Sequence, residues 1–145
     1  MGFPDRIERT VDLAHPAAQV WAALTTADGL AAWFGNKGAT IELRPGGPAT
    51  LDFENNFHQN MRVERVEEPH VFGFTWQIYG LPADDARRTY VEFTLEPTPA
   101  GTRLTVVETG FAQLPDDDHK TAFGANADGW GAKLAELGDY LDRTA

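Results

Sequence analysis

The chain has 145 residues, no cysteine and a formal net charge of −10, from 22 acidic and 12 basic side chains. Without cysteine it has neither disulfides nor thiolate metal sites. The acidic balance argues against nucleic-acid partners and against adsorption to anionic membranes, both of which favour basic surfaces. No apolar run approaches the roughly 20 residues of a membrane span, and the N-terminus lacks a secretion signal. We therefore expect one cytoplasmic domain over residues 1–145, with no membrane insertion.

The first elements are a strand and two short helices. Residues 7–13 alternate apolar and polar side chains, which is typical of a half-buried strand. Pro16 then opens a short helix with Val20, Trp21 and Leu24 on its apolar face. A second short helix is predicted from Asp28 to Trp33, with Gly35 ending it.

A series of strands separated by turn residues follows. Connections of hairpin length between successive strands predict an antiparallel meander. The expected strands are residues 40–44, 49–54, 58–66, 70–79, 88–96 and 102–111, with a turn at Asn55-Asn56 and a stop at Gly80.

The last segment has helical periodicity. Its apolar residues follow one another at intervals of three and four: Phe123, Ala127, Trp130, Leu134, Leu137 and Leu141. Acidic residues precede this stretch, as expected at a helix start, so one helix is predicted over residues 117–141. The result is an α+β fold in which six or seven antiparallel strands are covered by a long C-terminal helix.

Several segments together resemble a known family. They are residues 7–11 with Pro16 and Val20-Trp21, 32–35, 63–69, 74–76, 101–105, Gly110-Phe111, and Gly129-Trp130 with Leu134 and Leu137. In order and spacing they resemble the bacterial branch of the family related to the C-terminal domain of the Hsp90 ATPase activator Aha1, in the START-like (Bet v 1-like) superfamily. The resemblance implies a helix-grip fold with a cavity between the concave sheet and the helix. It matches only the C-terminal half of the eukaryotic co-chaperone, so we do not expect interaction with Hsp90.

Strand alternation points large apolar side chains towards that interior. Phe72, Phe74, Trp76 and Ile78 share one face of their strand. These side chains could simply fill the core, or they could line a ligand cavity. The candidate ligand-binding residues are Trp33, Phe53, Met61, Phe74, Trp76, Phe93, Val106, Glu108, Trp130 and Gly131.

Glu108 is the candidate polar group of this interior. It continues the inward face of Leu104 and Val106, and a buried carboxylate needs partners or a raised pKa. It could anchor a ligand hydroxyl or amine, or act as a general base. Alternatively, the strand end turns it into solvent, or it pairs with Arg9 of the first strand.

Other chemistry is not indicated. The four histidines, His15, His58, His70 and His119, lack metal-ligand spacing, and His15 and His70 are expected at the surface. There is no nucleophile motif, so we predict no metal, no cofactor and no catalytic residue.

Three glycines recur every seven residues along the predicted final helix: Gly124, Gly131 and Gly138. Each costs about 1 kcal/mol relative to alanine in a helix interior. Either backbone approaches the helix closely at these positions, or the missing side chains leave room for a ligand.

The sequence leads to three hypotheses of function. The first is non-catalytic binding of an apolar or amphipathic small molecule. The second is a cavity enzyme of cyclase or hydrolase type that uses Glu108, favoured if Glu108 points inward with a raised pKa beside an open pocket. The third is a protein-interaction module, favoured by a fully packed interior. The oligomeric state is left open, a homodimer included.

Overall fold

A computed structural model describes residues 5–35, 37–54, 57–78, 81–82 and 84–144. Its strands are β1 (Arg6–Leu13), β2 (Gly38–Ile41), β3 (Pro48–Asp52), β4 (His58–Glu67), β5 (Val71–Gln77), β6 (Arg88–Thr98) and β7 (Gly101–Thr109). Its helices are α1 (Ala17–Thr25), α2 (Ala27–Trp33) and α3 (Asp116–Thr144), with a short 3-10 helix at Phe111–Gln113. The predicted turn at Asn55-Asn56 and the predicted strand end at Tyr79 and Gly80 lie outside the described residues.

The strands form one antiparallel sheet in the order β1-β7-β6-β5-β4-β3-β2. From β2 to β7 each strand pairs with the next one in the chain, as short connections dictate. Only β1 departs from this order, because α1 and α2 carry the chain from one edge of the sheet to the other. The register between β4 and β5 shifts between Val63 and Arg65, and such an irregularity bends a strand.

The long helix α3 covers the concave face of this sheet. Asp116, Asp117 and Asp118 lie in its first turn, where the helix dipole favours negative charge. The side chains of Trp130, Leu134, Leu137 and Leu141 are buried, as the spacing predicts. The predicted α+β architecture, with its meander and single C-terminal helix, is confirmed.

Two histidines are buried, and one of them corrects a prediction. His15, expected at the surface, is only 6% exposed, and its Nε2 lies 2.8 Å from Asp142 Oδ1 near the end of α3. The chain brings β1 and the end of α3 together, which local sequence does not reveal. His119 is buried with its ring stacked on Phe111, and His70 is exposed as predicted.

The glycines of α3 are not explained by close backbone approach. A Cβ added at Gly124 or Gly131 would meet no atom within 4 Å, and at Gly138 it would only reach Leu13 Cδ2 at 3.8 Å. Gly101, by contrast, has φ +154°, and a Cβ there would lie 2.1 Å from the Leu13 carbonyl oxygen. The glycine requirement is therefore strict at the start of β7 and absent at Gly131.

Substitution by alanine should have opposite effects on stability at Gly131 and Gly101. Gly131→Ala should raise the free energy of unfolding by about 0.5–1 kcal/mol, because alanine favours the helix and meets no neighbour. Gly101→Ala should lower it by more than about 1 kcal/mol, because backbone must move. Urea denaturation measures both. A destabilised Gly131→Ala would show that α3 is covered at this point.

Candidate functional site

A pocket of about 400 Å³ opens between the middle of α3 and the sheet at its β3–β4 end. Three parts of the fold meet there: the end of α2, the β3–β4 connection with the adjoining ends of β4 and β5, and one face of α3. Most of the exposed lining is apolar. The lining residues are Phe34, Phe53, Glu54, Phe57, Gln59, Trp76, Gln77, Ala125, Asn126, Gly129, Trp130 and Lys133.

Aromatic rings form the inner wall of this pocket. Trp76 of β5 and Trp130 of α3 stack with centroids 5.6 Å apart and planes 24° from parallel. Phe34 packs edge-on against both, at 5.8 Å and 5.6 Å. Phe53 extends the wall, at 6.2 Å from Phe34. Offset and edge-on contacts of this kind hold aromatic rings in fixed orientations, so the wall is preformed.

The end of α2 places Phe34 in the wall. Trp33 is the last residue of the helix, only 2% exposed, and its Nε1 donates to the Ala23 carbonyl at 2.7 Å. Its ring stacks on Phe34 at 4.8 Å. Trp33 was predicted to border the cavity itself, but the structure turns it towards α1, where it supports Phe34 from behind.

Glu108 lies behind the wall, completely buried. Its Oε1 accepts from Trp130 Nε1 at 2.8 Å and from Asn126 Nδ2 at 3.0 Å. Its Oε2 accepts from Trp76 Nε1 at 2.8 Å, Thr89 Oγ1 at 2.5 Å and Asn126 Nδ2 at 3.0 Å. One carboxylate of β7 thus binds β5, β6 and α3 together.

Burial raises the pKa of Glu108, and the hydrogen bonds from Thr89, Trp76, Trp130 and Asn126 oppose that shift. All four partners are uncharged. Both alternatives for Glu108 are wrong: the side chain does not reach solvent, and Arg9, offered as a partner, is exposed with its Nη1 donating to the Glu8 carbonyl at 2.9 Å. Arg9 belongs to an edge strand, from which a long side chain reaches water.

Polar side chains also line the pocket. Lys133 Nζ donates to the Phe34 carbonyl at 3.1 Å, pairs with Glu136 at 2.8 Å and lies 5.4 Å from the centroid of the Phe53 ring. Gln59 Nε2 donates to the Gln77 carbonyl at 2.9 Å. This bond fixes the orientation of the Gln59 amide, because only its NH₂ end can donate.

The predicted site residues separate into four groups. Phe53, Trp76 and Trp130 line the pocket, and Glu108 hydrogen-bonds to two of the residues of the wall. Gly131 does not line it: this residue is exposed on the other side of α3, and Gly129 takes that place. The remaining five are buried in the core: Trp33, Met61, Phe74, Phe93 and Val106.

Sequence reasoning missed Asn126, Gly129, Lys133 and Phe34. Asn126 and Gly129 precede Trp130 by four residues and one, and Lys133 follows it by three. Positions three or four residues apart share a helix face, so Trp130 could have pointed to Asn126 and Lys133. Phe34 follows the last helical residue, where helical spacing no longer predicts direction.

The raised pKa of Glu108 predicts how the stability of the fold depends on pH. A folded-state pKa above that of the unfolded chain means that the folded state binds more protons over the interval between the two values. Stability is then lost as the pH rises from the ordinary carboxyl value of 4.5 through the folded pKa. The free energy of unfolding of the wild type, minus that of Glu108→Gln, should therefore fall as the pH rises from 4 to 8.

Urea denaturation across this pH range measures the difference, and the variant cancels the titration of all other groups. A difference that rises with pH would show that the four donors outweigh burial, so that the carboxylate is held ionised.

Solved structures share this fold over almost the whole chain. Protein MLL2253 from Mesorhizobium loti is 27% identical, with TM-score 0.82, over 97% of this chain and 98% of that one. Protein NE0264 from Nitrosomonas europaea is 22% identical, with TM-score 0.75, over 97% and 96%. DynU16, a protein in the dynemicin biosynthetic locus, is 24% identical, with TM-score 0.80, but this chain covers only 48% of it.

Two further comparisons and one structural observation describe this chain. No curated protein sequence matches this chain. Within the described part of the chain, no helix is both long and apolar enough to cross a membrane. The sequence profile of the family described as activator of Hsp90 ATPase homolog 1-like protein matches residues 14–142, which is most of the chain. The chain therefore belongs to the activator of Hsp90 ATPase homolog 1-like family.

Proposed function

We propose that this protein binds an apolar or amphipathic small molecule with a planar aromatic part, without transforming it chemically. One observation carries the proposal: the pocket is lined by a preformed aromatic wall of Trp76, Trp130, Phe34 and Phe53. Aromatic side chains that line a concave site give a flat ligand an apolar contact surface of matching shape.

The dimensions and polarity of the pocket agree with this function. Its volume of about 400 Å³ lies within the 300–1,000 Å³ typical of small-molecule sites. Such sites combine a mostly apolar lining with a few placed polar groups. Here the polar lining residues are Glu54, Gln59, Gln77, Asn126 and Lys133, and Ala125 and Gly129 leave the helix side of the pocket open.

A cavity enzyme is the second candidate, because Glu108 points inward with a raised pKa and its partners line an open pocket. A general base must reach the substrate proton within hydrogen-bond distance, directly or through one water. The Glu108 carboxylate already accepts bonds from four protein groups, and Asn126 and the two tryptophans lie between it and the pocket. This arrangement favours a structural carboxylate over a base.

A protein-interaction module gains less support. That function was expected to accompany a fully packed interior, whereas the described residues enclose an open pocket. Small-molecule binding makes direct use of the open pocket. This function does not require Hsp90.

Paired glycine substitutions on α3 test the proposal. N-phenyl-1-naphthylamine, whose fluorescence increases in apolar surroundings, serves as the probe. Gly129→Leu should weaken its binding at least about tenfold, because a leucine side chain would enter the pocket. Gly131→Leu, on the exposed side of the same helix, should bind the probe like the wild type.

Neither added side chain begins with a clash, since a Cβ at either glycine meets no atom within 4 Å. Loss of helix stability therefore cannot explain a difference between the two variants. If both bind as the wild type does, or if the wild type does not bind the probe, the pocket is not the binding site proposed here.

A further inference from the structure

Asn126 has its side-chain amide fixed in one orientation. Its Nδ2 lies 3.0 Å from both oxygens of Glu108. A carboxylate oxygen accepts and does not donate, so the NH₂ end must face Glu108. If Glu108 carries a proton, Thr89 Oγ1 at 2.5 Å is placed to accept it, and Asn126 keeps its orientation. The carbonyl end of the amide consequently points away from Glu108.

The Asn126 carbonyl oxygen is available to a ligand. No described residue donates a hydrogen bond to it. Among the described residues, every buried side-chain nitrogen or oxygen has a hydrogen-bond partner, so this oxygen must be accessible to solvent. Asn126 itself lines the pocket. An acceptor that receives no hydrogen bond from any described residue is thus held beside the aromatic wall.

The neighbouring indole N–H groups do not offer a ligand a second hydrogen-bonding site. Both Trp76 Nε1 and Trp130 Nε1 donate to Glu108, so neither indole N–H is available to a ligand. The Glu108 carboxyl group also polarises the Asn126 amide through its NH₂ end, and such chains of hydrogen bonds strengthen the terminal acceptor. At this point the wall attracts a donor and repels an acceptor or an anion.

We propose that Asn126 selects the ligand: the site takes planar aromatic molecules that carry a hydroxyl or N–H donor, such as phenols, and places that donor on Asn126 Oδ1. The inference rests on the proposed function, since it names the chemical class that the same pocket binds. Lys133 is the charged donor at the pocket, and its ammonium group can donate to a hydroxyl oxygen and to an ether oxygen alike. Lys133 therefore does not distinguish a ligand with a hydroxyl donor from one that has only an acceptor.

Three matched probes test the selection in the wild-type protein: 2-naphthol, 2-methoxynaphthalene and naphthalene, each measured by displacement of N-phenyl-1-naphthylamine. All share the ring system, but only 2-naphthol donates a hydrogen bond. One such bond should give 2-naphthol about three- to tenfold higher affinity than either of the others. Equal affinity for all three would overturn the selection and leave the binding function standing. Failure of all three to bind would overturn both.

Two variants assign the selection to a residue. Asn126→Ala should reduce the affinity ratio of 2-naphthol to 2-methoxynaphthalene to about one, while naphthalene binding reports that the pocket is intact. Lys133→Met removes the ammonium group but keeps an unbranched side chain of similar length, and it should preserve the wild-type ratio. A ratio that survives in Asn126→Ala, or disappears in Lys133→Met, would overturn the assignment to Asn126. If Asn126→Ala does not fold, the wild-type probe series still decides whether the pocket selects a donor, and a ratio lost in Lys133→Met still overturns the assignment to Asn126.

Discussion

The buried carboxylate of Glu108 is the interaction on which the arrangement of this protein depends. It lies on β7 and accepts hydrogen bonds from β5, β6 and α3 through Trp76, Thr89, Asn126 and Trp130. Burying such a group without a partner would cost several kcal/mol. Four uncharged donors offset part of that cost, and each is itself anchored in a strand or in the helix. The polar cluster therefore fixes the position of α3 on the sheet.

This cluster also determines what the pocket offers. Because both indole N–H groups point towards Glu108, the two tryptophan rings are held stacked at 5.6 Å. The same carboxylate orients Asn126 and so leaves its carbonyl oxygen outermost. Trp33 provides a second support, since its bond to the Ala23 carbonyl holds it where it stacks on Phe34. The site is prearranged by groups that no ligand would contact, and prearranged sites lose less entropy on binding.

Periodicity was sufficient to predict the fold. Alternation predicted the strands of the meander and the inward direction of Glu108, and the three-four spacing predicted α3, because both patterns report which face of an element is buried. The site was predictable only in part. Phe53, Trp76 and Trp130 line the pocket, but face periodicity does not distinguish side chains that line a pocket from those packed deeper in the core, so the prediction also includes Phe74, Phe93 and Val106.

The errors have a common physical origin. Each error depends on which elements meet in space. This holds for the partners of Glu108, for the burial of His15 and for the finding that Phe34 lines the pocket where Trp33 was predicted. Arg9 was proposed as a partner because its position alternates inward, yet at an edge strand a long side chain can reach solvent. Contacts between distant parts of the chain are set by the assembled fold, and local spacing contains no record of them.

The glycines of α3 show how this fold combines rigidity with an open site. The wall side of the pocket is held by hydrogen bonds, whereas the helix side is left open by Ala125 and Gly129. A glycine in a helix interior costs about 1 kcal/mol, and α3 also carries Gly124, Gly131 and Gly138. Nothing in the structure explains Gly131, which no neighbour restricts. Gly129 differs because it faces the pocket, where any longer side chain would fill space beside Trp130. The buried leucines of the C-terminal half of α3 and the Glu108 cluster anchor the helix on both sides of this opening, so the local loss of helix stability at Gly129 is tolerated.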